Sequence, residues 1–348
     1  MHRRSIPLLA ILALLVSCAT PSSSAPSSSG AATPTTPASA SASPEPSDTG
    51  LDIEDEAEAT IEVSFGPDFP TEGFGSMWIL APDRGTPALV RIDPDTNEEL
   101  ARIDLPGQLC QGFTVSDDAV WVCTPDGAVR VDPSTNEIVG SVVFEVGQFY
   151  GRLAAGAGAV WALGTDGIAP NTLIRIDPAT ETATGTPLGH EAGAIAFGFD
   201  AVWVTAPQDG LLLRIDPASG EITEHAAGLP GPGAVNVGPD AIWVTLHTLD
   251  DDPPGDGDAT VGRIDPIDGA LVAEIATGVS SETFGGLWAT EDAVWVRAPN
   301  LFLARIDPAT NEVVETYAGF PSSGEVTVAF GSVWATVVER QTVYRLAP

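Results

Sequence analysis

The sequence predicts an all-β fold: a seven-bladed β-propeller of four-stranded antiparallel blades whose ring is closed by the N-terminal strand. Three observations point there. A tryptophan sits inside an apolar strand at Trp78, Trp121, Trp161, Trp203, Trp243, Trp295 and Trp334, at intervals of 43, 40, 42, 40, 52 and 39 residues. After each comes a strand ending in a shared tetrapeptide: Arg91-Ile-Asp-Pro94, Arg130-Val-Asp-Pro133, Arg175-Ile-Asp-Pro178, Arg214-Ile-Asp-Pro217, Arg263-Ile-Asp-Pro266, Arg305-Ile-Asp-Pro308 and the degenerate Arg345-Leu-Ala-Pro348. The last copy stops after its third strand, while a spare strand, Thr60-Ile-Glu-Val-Ser-Phe65, stands ahead of the first copy.

One unit shows why each element forms. Strand a, such as Ala234-Val-Asn-Val237, lines the central channel, and the turn Gly238-Pro-Asp240 leads to strand b, Ala241-Ile-Trp-Val244. Strand b is apolar on both faces, so neighbouring blades must cover it from both sides. After strand c, the Asp of Asp-Pro-x-Thr/Ser can accept backbone N–H bonds two or three residues on, and the Pro presets φ for the turn into strand d. Repetition marks the Arg and Trp residues as scaffold, the Arg paired beside a turn Asp and the Trp packed in the core, rather than as a cationic ring or a stacking platform. The propeller is expected to span 60–348, with the spare strand pairing against Tyr344-Arg-Leu and removing two open edges.

Composition narrows the partners. The 348 residues carry 14 Lys+Arg, every one of them Arg, against 48 Asp+Glu, a formal charge of −34. Such a surface repels phosphate backbones, so nucleic acid is excluded as a partner, and the folded part does not dock on anionic lipid headgroups. A monomer is expected. With 36 Gly and 30 Pro the chain is rich in turns, as an all-β domain requires.

The chain begins with a charged Met1-His-Arg-Arg4, followed by an apolar run from Ile6 to Val16 that is too short to span a bilayer. It ends in Leu15-Val16-Ser17-Cys18, which resembles a bacterial lipobox. Residues 1–17 read as a lipoprotein signal peptide, and Cys18 as the lipidated N-terminus of an extracytoplasmic, membrane-anchored protein. Residues 18–59, mostly Ser, Thr, Pro and Ala and then acidic, read as a disordered tether. Of the remaining cysteines, Cys110 and Cys123 flank one hairpin and are expected to pair in an oxidising compartment.

The units containing Arg214-Ile-Asp-Pro-Ala-Ser-Gly-Glu-Ile-Thr223 and Arg305-Ile-Asp-Pro-Ala-Thr-Asn-Glu-Val-Val314 resemble two propeller families, the YVTN-type surface repeat proteins and the streptogramin (virginiamycin B) lyase-like propellers. The resemblance covers about residues 60–348 and rests on turn and core positions. It implies the fold. The lyase branch further implies His and Glu residues working with a divalent metal on one face.

Candidate site residues are those that break the repeat on the face formed by the d–a and b–c connections. They are Tyr150 and Arg152 in the loop 145–152, His190 and Glu191 before blade four, His247 after strand b of blade five, Phe284 in the loop before Trp288, and Arg297 at the end of strand b of blade six. The insertion 247–258 carries Asp250, Asp252, Asp256 and Asp258, oxygen ligands suited to Ca²⁺ or Mg²⁺; the spacing is not that of an EF-hand, and the plainer reading of the loop is a solvated acidic run. No other cofactor motif is present. Two functions follow: a non-enzymatic module binding a small molecule or protein, or a metal-assisted lyase or hydrolase in which His190, Glu191, His247 and Glu282 converge at the channel mouth.

Overall fold

Opposite every repeated tryptophan, one strand over, stands the repeated arginine: Trp78 pairs with Arg91, Trp121 with Arg130, Trp161 with Arg175, Trp203 with Arg214, Trp243 with Arg263, Trp295 with Arg305 and Trp334 with Arg345. This register is the seed of each blade. The computed structural model describes residues 50–82, 86–107, 112–146, 153–165, 167, 169–247, 259–279, 286–297, 302–320 and 323–348. They form seven antiparallel sheets, one per repeat. Blade four is representative, with strands Ile195–Gly198, Ala201–Ala206, Leu211–Ile215 and Ile222–Ala227 in sequential order. The first strands of successive blades contact one another around the whole ring, including the step from blade seven back to blade one.

The blades hold together by burial first. Strand b is buried at every residue in blades one to four and seven. Its apolar side chains form clusters that bridge neighbours, as where Trp78 and Leu80 of blade one pack on Phe113, Val120 and Val129 of blade two. Each blade is thus covered on both faces, as the unbroken apolar runs required. The tryptophan indole also fixes its own blade: Trp78, Trp161, Trp203 and Trp334 each donate Nε1–H to a carbonyl at the a–b turn, from 2.9 to 3.1 Å.

The arginines supply a second, directional link. The guanidinium lies over the tryptophan ring in blades one, three, four, five, six and seven, 4.6 to 6.0 Å from its centroid. In three seams it donates hydrogen bonds into the next blade, and in a fourth Arg130 ion-pairs with Glu181 of blade three at 3.8 Å. Arg91 donates to the Pro133 carbonyl and Asn136 Oδ1, Arg263 to those of Pro308 and Asn311, and Arg345 to those of Pro94 and Asn97. Turn aspartates contribute in blades two and five, where Arg130 pairs with Asp118 and Arg263 with Asp240. The Asp of Asp-Pro works within its own turn: Asp93 accepts from the backbone N–H of Asp95 and Thr96 at 2.8 and 3.0 Å, and Asp177 and Asp216 repeat the pattern. These bonds hold the Asp93, Asp177 and Asp216 carboxyls below their ordinary range.

Ring closure follows the expected route. Ala59–Glu62 pairs antiparallel with Thr342–Leu346, with Ile61 opposite Val343, and becomes the outer strand of blade seven. Order starts earlier than the expected boundary near Thr60. Leu51–Asp52 adds a fifth, parallel strand beside Glu312–Ala318 of blade six, and a short helix, Ile53–Glu56, follows. One residue explains this: Ile53 is 1% exposed, packed among Phe302, Tyr317 and Tyr344. A single isoleucine among acidic neighbours leaves no periodic trace.

Candidate functional site

The position two residues after each repeated tryptophan sits where strand b emerges on the face of the b–c and d–a connections. It is Leu80, Cys123, Leu163, Thr205, Thr245, Arg297 and Thr336 in blades one to seven. Its backbone N–H donates to the residue leading into strand a: Gly112, Ala194, Ala234, Gly286 and Glu325 in blades two, four, five, six and seven. Where the residue is threonine, the hydroxyl accepts from that same partner's N–H, at 2.9 Å from Ala194 and 2.8 Å from Ala234 and Glu325. The repeat therefore asks for a small or apolar side chain here, facing Gly or Ala.

Blades six and seven break both halves of this rule side by side. Blade six places Arg297 where threonine belongs, and blade seven places Glu325 where Gly or Ala belongs. Arg297 is 2% exposed. It donates to the Phe302 carbonyl at 2.8 Å and reaches the Thr336 carbonyl of blade seven at 3.4 Å, with its guanidinium 4.0 Å from the Phe302 ring centroid. The Glu325 carboxylate leans back towards blade six: a Cβ on Gly286 would lie 2.1 Å from its Oε2. Gly286 thus gives the carboxylate its room. Burial pushes the Arg297 guanidinium down to about 10, against the opposing pull of the Glu325, Asp68 and Glu339 carboxylates. A buried cation is held among acids from blades seven and one.

The other described candidates, His190, Glu191 and His247, lie elsewhere on this face. His190 precedes blade four, and its Nδ1 lies 2.8 Å from Asp209 Oδ2, an aspartate in the turn Pro207–Asp209 between strands b and c of that blade. Its neighbour Glu191 is exposed. His247 follows strand b of blade five, with its backbone N–H bonded to the Pro230 carbonyl. It is half-buried, and burial lowers its imidazole pKa. Among the described residues, no group of three or more His, Cys, Asp or Glu side chains is arranged to hold a metal. Trp288 is partly buried against the core of blades six and seven. Cys123 is disulfide-bonded. Cys18, Cys110, Tyr150, Arg152, Asp250, Asp252, Asp256, Asp258, Glu282 and Phe284 lie outside the described residues.

Asp209 and Glu325 escaped the sequence reading. The signal for Glu325 was present, a lone acid at a Gly/Ala position, but it emerges only once all seven blades are set in register. Asp209 carried none, because nothing in its turn sets it apart from a solvated loop.

No protein-family model matches the chain, and no curated protein matches it in sequence. Solved structures match it closely in shape. Kuenenia stuttgartiensis hydrazine synthase superposes with a TM-score of 0.65 at 14% identity, over 83% of this chain and 97% of that one. The β-propeller domain of Myceliophteria thermophila Cps50 (Swd1) gives 0.66 at 13% identity, over 84% and 99%. The WD40 domain of Neurospora crassa Pan2 gives 0.60 at 11% identity, over 82% and 90%. They share its fold. At these identities nothing of their chemistry carries over.

Proposed function

We propose that the chain is a lipid-anchored, extracytoplasmic binding module without catalytic activity. Cys18 holds it to the membrane, the segment ahead of residue 50 acts as a tether, and the face of the b–c and d–a connections takes a small-molecule or protein ligand. The observation that carries the reading is the Arg297–Glu325 break. Burying a guanidinium costs several kcal/mol even with compensation, and the packing of this position is met by threonine in blades four, five and seven. A charge placed there against the repeat is more than a scaffold needs, and it lies at the end of strand b on the face of the b–c and d–a connections, where a ring presents its loops to a ligand. The pairing of His190 with Asp209 of blade four favours this over the lyase reading, in which His190, Glu191, His247 and Glu282 converge at the channel mouth.

Two measurements test it. The purified mature chain is incubated with virginiamycin B and Mg²⁺, and ring opening is followed by chromatography. No turnover above the buffer rate is expected; turnover abolished by His190→Ala would replace this proposal with the lyase. For the anchor, Cys18→Ser moves the protein from the membrane to the soluble fraction. A variant that stays with the membrane removes the lipid from the picture.

A further inference from the structure

Among the described residues the inter-blade clasp is absent from the other four seams, and in the one between blades three and four a cavity takes its place. In the three clasped seams the arginine fork meets two oxygens of the following blade, a proline carbonyl and an asparagine Oδ1. Those asparagines sit at a left-handed turn position, φ 57° to 62°. Blade four fills that position with Gly220, at φ 73°. Glycine satisfies the backbone and brings no acceptor, and a Cβ there would meet no atom within 4 Å. Arg175 of blade three, which should be clasped, has no hydrogen bond or ion pair among the described residues; its guanidinium rests 5.8 Å from the Trp161 ring centroid. The seam opens into a cavity of about 420 Å³ lined by Arg175, Trp161, Thr184, Thr186, Ile215 and the turn ending at Gly220.

Loss of the asparagine alone does not open a seam. The next one, between blades four and five, also has a glycine at this position, Gly269. There the space is filled: His225 packs edge-on against Trp203, centroids 4.8 Å apart, with its Nε2 3.0 Å from the Asp265 carbonyl oxygen. Blade three offers only Thr184, Gly185 and Thr186 on the matching strand. The cavity therefore combines a free guanidinium, two threonine hydroxyls and an apolar wall.

We infer that the seam between blades three and four is a binding site for a monocarboxylate with a small apolar body, either a free organic acid or the C-terminus of a peptide. The carboxylate supplies to Arg175 the two oxygens that the turn supplies elsewhere, and a planar fork takes them bidentately. Thr184 and Thr186 donate to the remaining lone pairs, and the apolar body lies against Ile215. A dianion is disfavoured, because Asp177 and Asp216 stand at the ends of the flanking strands and the chain carries −34 charges overall. This site lies on the face opposite the Arg297–Glu325 cluster and is independent of it.

Calorimetric titration of the mature chain tests the site with four probes: N-acetyl-leucine, its uncharged amide, the peptide acetyl-Ala-Ala-Leu with a free C-terminus, and inorganic phosphate. Saturable binding of N-acetyl-leucine is expected, with none of the amide and affinity for phosphate lower by about tenfold or more. The peptide binding more tightly than the amino acid identifies a peptide terminus as the source of the carboxylate; equal or weaker binding identifies a free acid. Gly220→Asn restores the clasp partner, so it should abolish binding and raise the melting temperature. Arg175→Gln should weaken binding by roughly 30-fold or more, as removal of a charged hydrogen-bond partner does. No saturable heat from either carboxylate probe, phosphate binding as well as N-acetyl-leucine, or unchanged binding by Gly220→Asn overturns the inference.

Discussion

Removal of the N-terminal closing segment should destabilise the ring in steps whose sizes follow from three side chains. Truncation through residue 49 leaves every described residue in place. Truncation through residue 57 removes Ile53, 1% exposed, and with it about 1.5–3 kcal/mol of burial. Truncation through residue 65 also removes Ile61 and Phe65, 7% and 6% exposed, for a total of about 5–9 kcal/mol. For a folded region of roughly 300 residues the unfolding entropy at the midpoint is about 0.6 kcal/mol/K. The expected falls in melting temperature are therefore about zero, about 3–5 °C and about 8–14 °C, read by scanning calorimetry. The longest truncation also uncovers the edge of Thr342–Leu346, so it should self-associate on gel filtration while the shorter ones elute as the parent does. Equal melting temperatures for all three truncations would show that the ring does not depend on this strand.

Two further outcomes follow from the charges. Arg297→Met leaves the half-buried Glu325 carboxylate without its compensating cation and should cost about 1–3 kcal/mol; adding Glu325→Gln should restore much of that loss, and identical melting temperatures for the single and double variants would mean the two groups are not coupled. For pH, Asp93, Asp132, Asp177 and Asp216 have folded-state pKa values below the ordinary 3.8, held there by backbone and side-chain hydrogen bonds from their own turns. Their stabilising contribution is present above 3.8 and is lost as pH falls through the depressed values. Replacing all four with Asn, which keeps an acceptor but cannot titrate, should flatten the acid limb of the stability curve below pH 3.8; an unaltered limb places the acid sensitivity elsewhere.

Most of the architecture was legible because it repeats. Trp, Arg and Asp-Pro each serve the same geometry in successive blades, so their spacing in the chain is their spacing around the ring. Closure was legible for a related reason: an unpaired last strand and a spare first strand can satisfy one another. The role of the arginines was legible only in part. Their structural nature showed, but the partner of Arg91 lies 42 and 45 residues away, and no local pattern reveals a bond across a seam. The asparagines at 97, 136 and 311 carry no separate signal in the sequence; their Oδ1 atoms accept from arginines of the preceding blade. The segment 51–56 reads as linker because its attachment, one buried isoleucine, a two-residue parallel pairing and a Glu54–Arg340 ion pair, leaves no repeat in the sequence. His190, Glu191, His247 and Arg297 were found as departures from consensus, but sequence placed them on one face without their partners. Asp209 and Glu325 emerge only when the third dimension sets the blades in register.

A ring of this kind carries its own controls, since every position is sampled seven times under nearly the same packing demands. A departure that improves packing needs no further cause. One that buries a charge, as Arg297 does, or opens a cavity beside an unpaired cation, as Gly220 does, weakens the scaffold and calls for a role outside it. The two departures sit in different seams and on opposite faces, sharing no partner. Their effects should then be separable. Arg297→Met should leave N-acetyl-leucine binding within about twofold of the parent, and Gly220→Asn should leave the cost of Arg297→Met unchanged within about 0.5 kcal/mol. Strong coupling between them would mean that the ring transmits strain from blade to blade and behaves as one elastic body, and the two sites would then have to be treated as one.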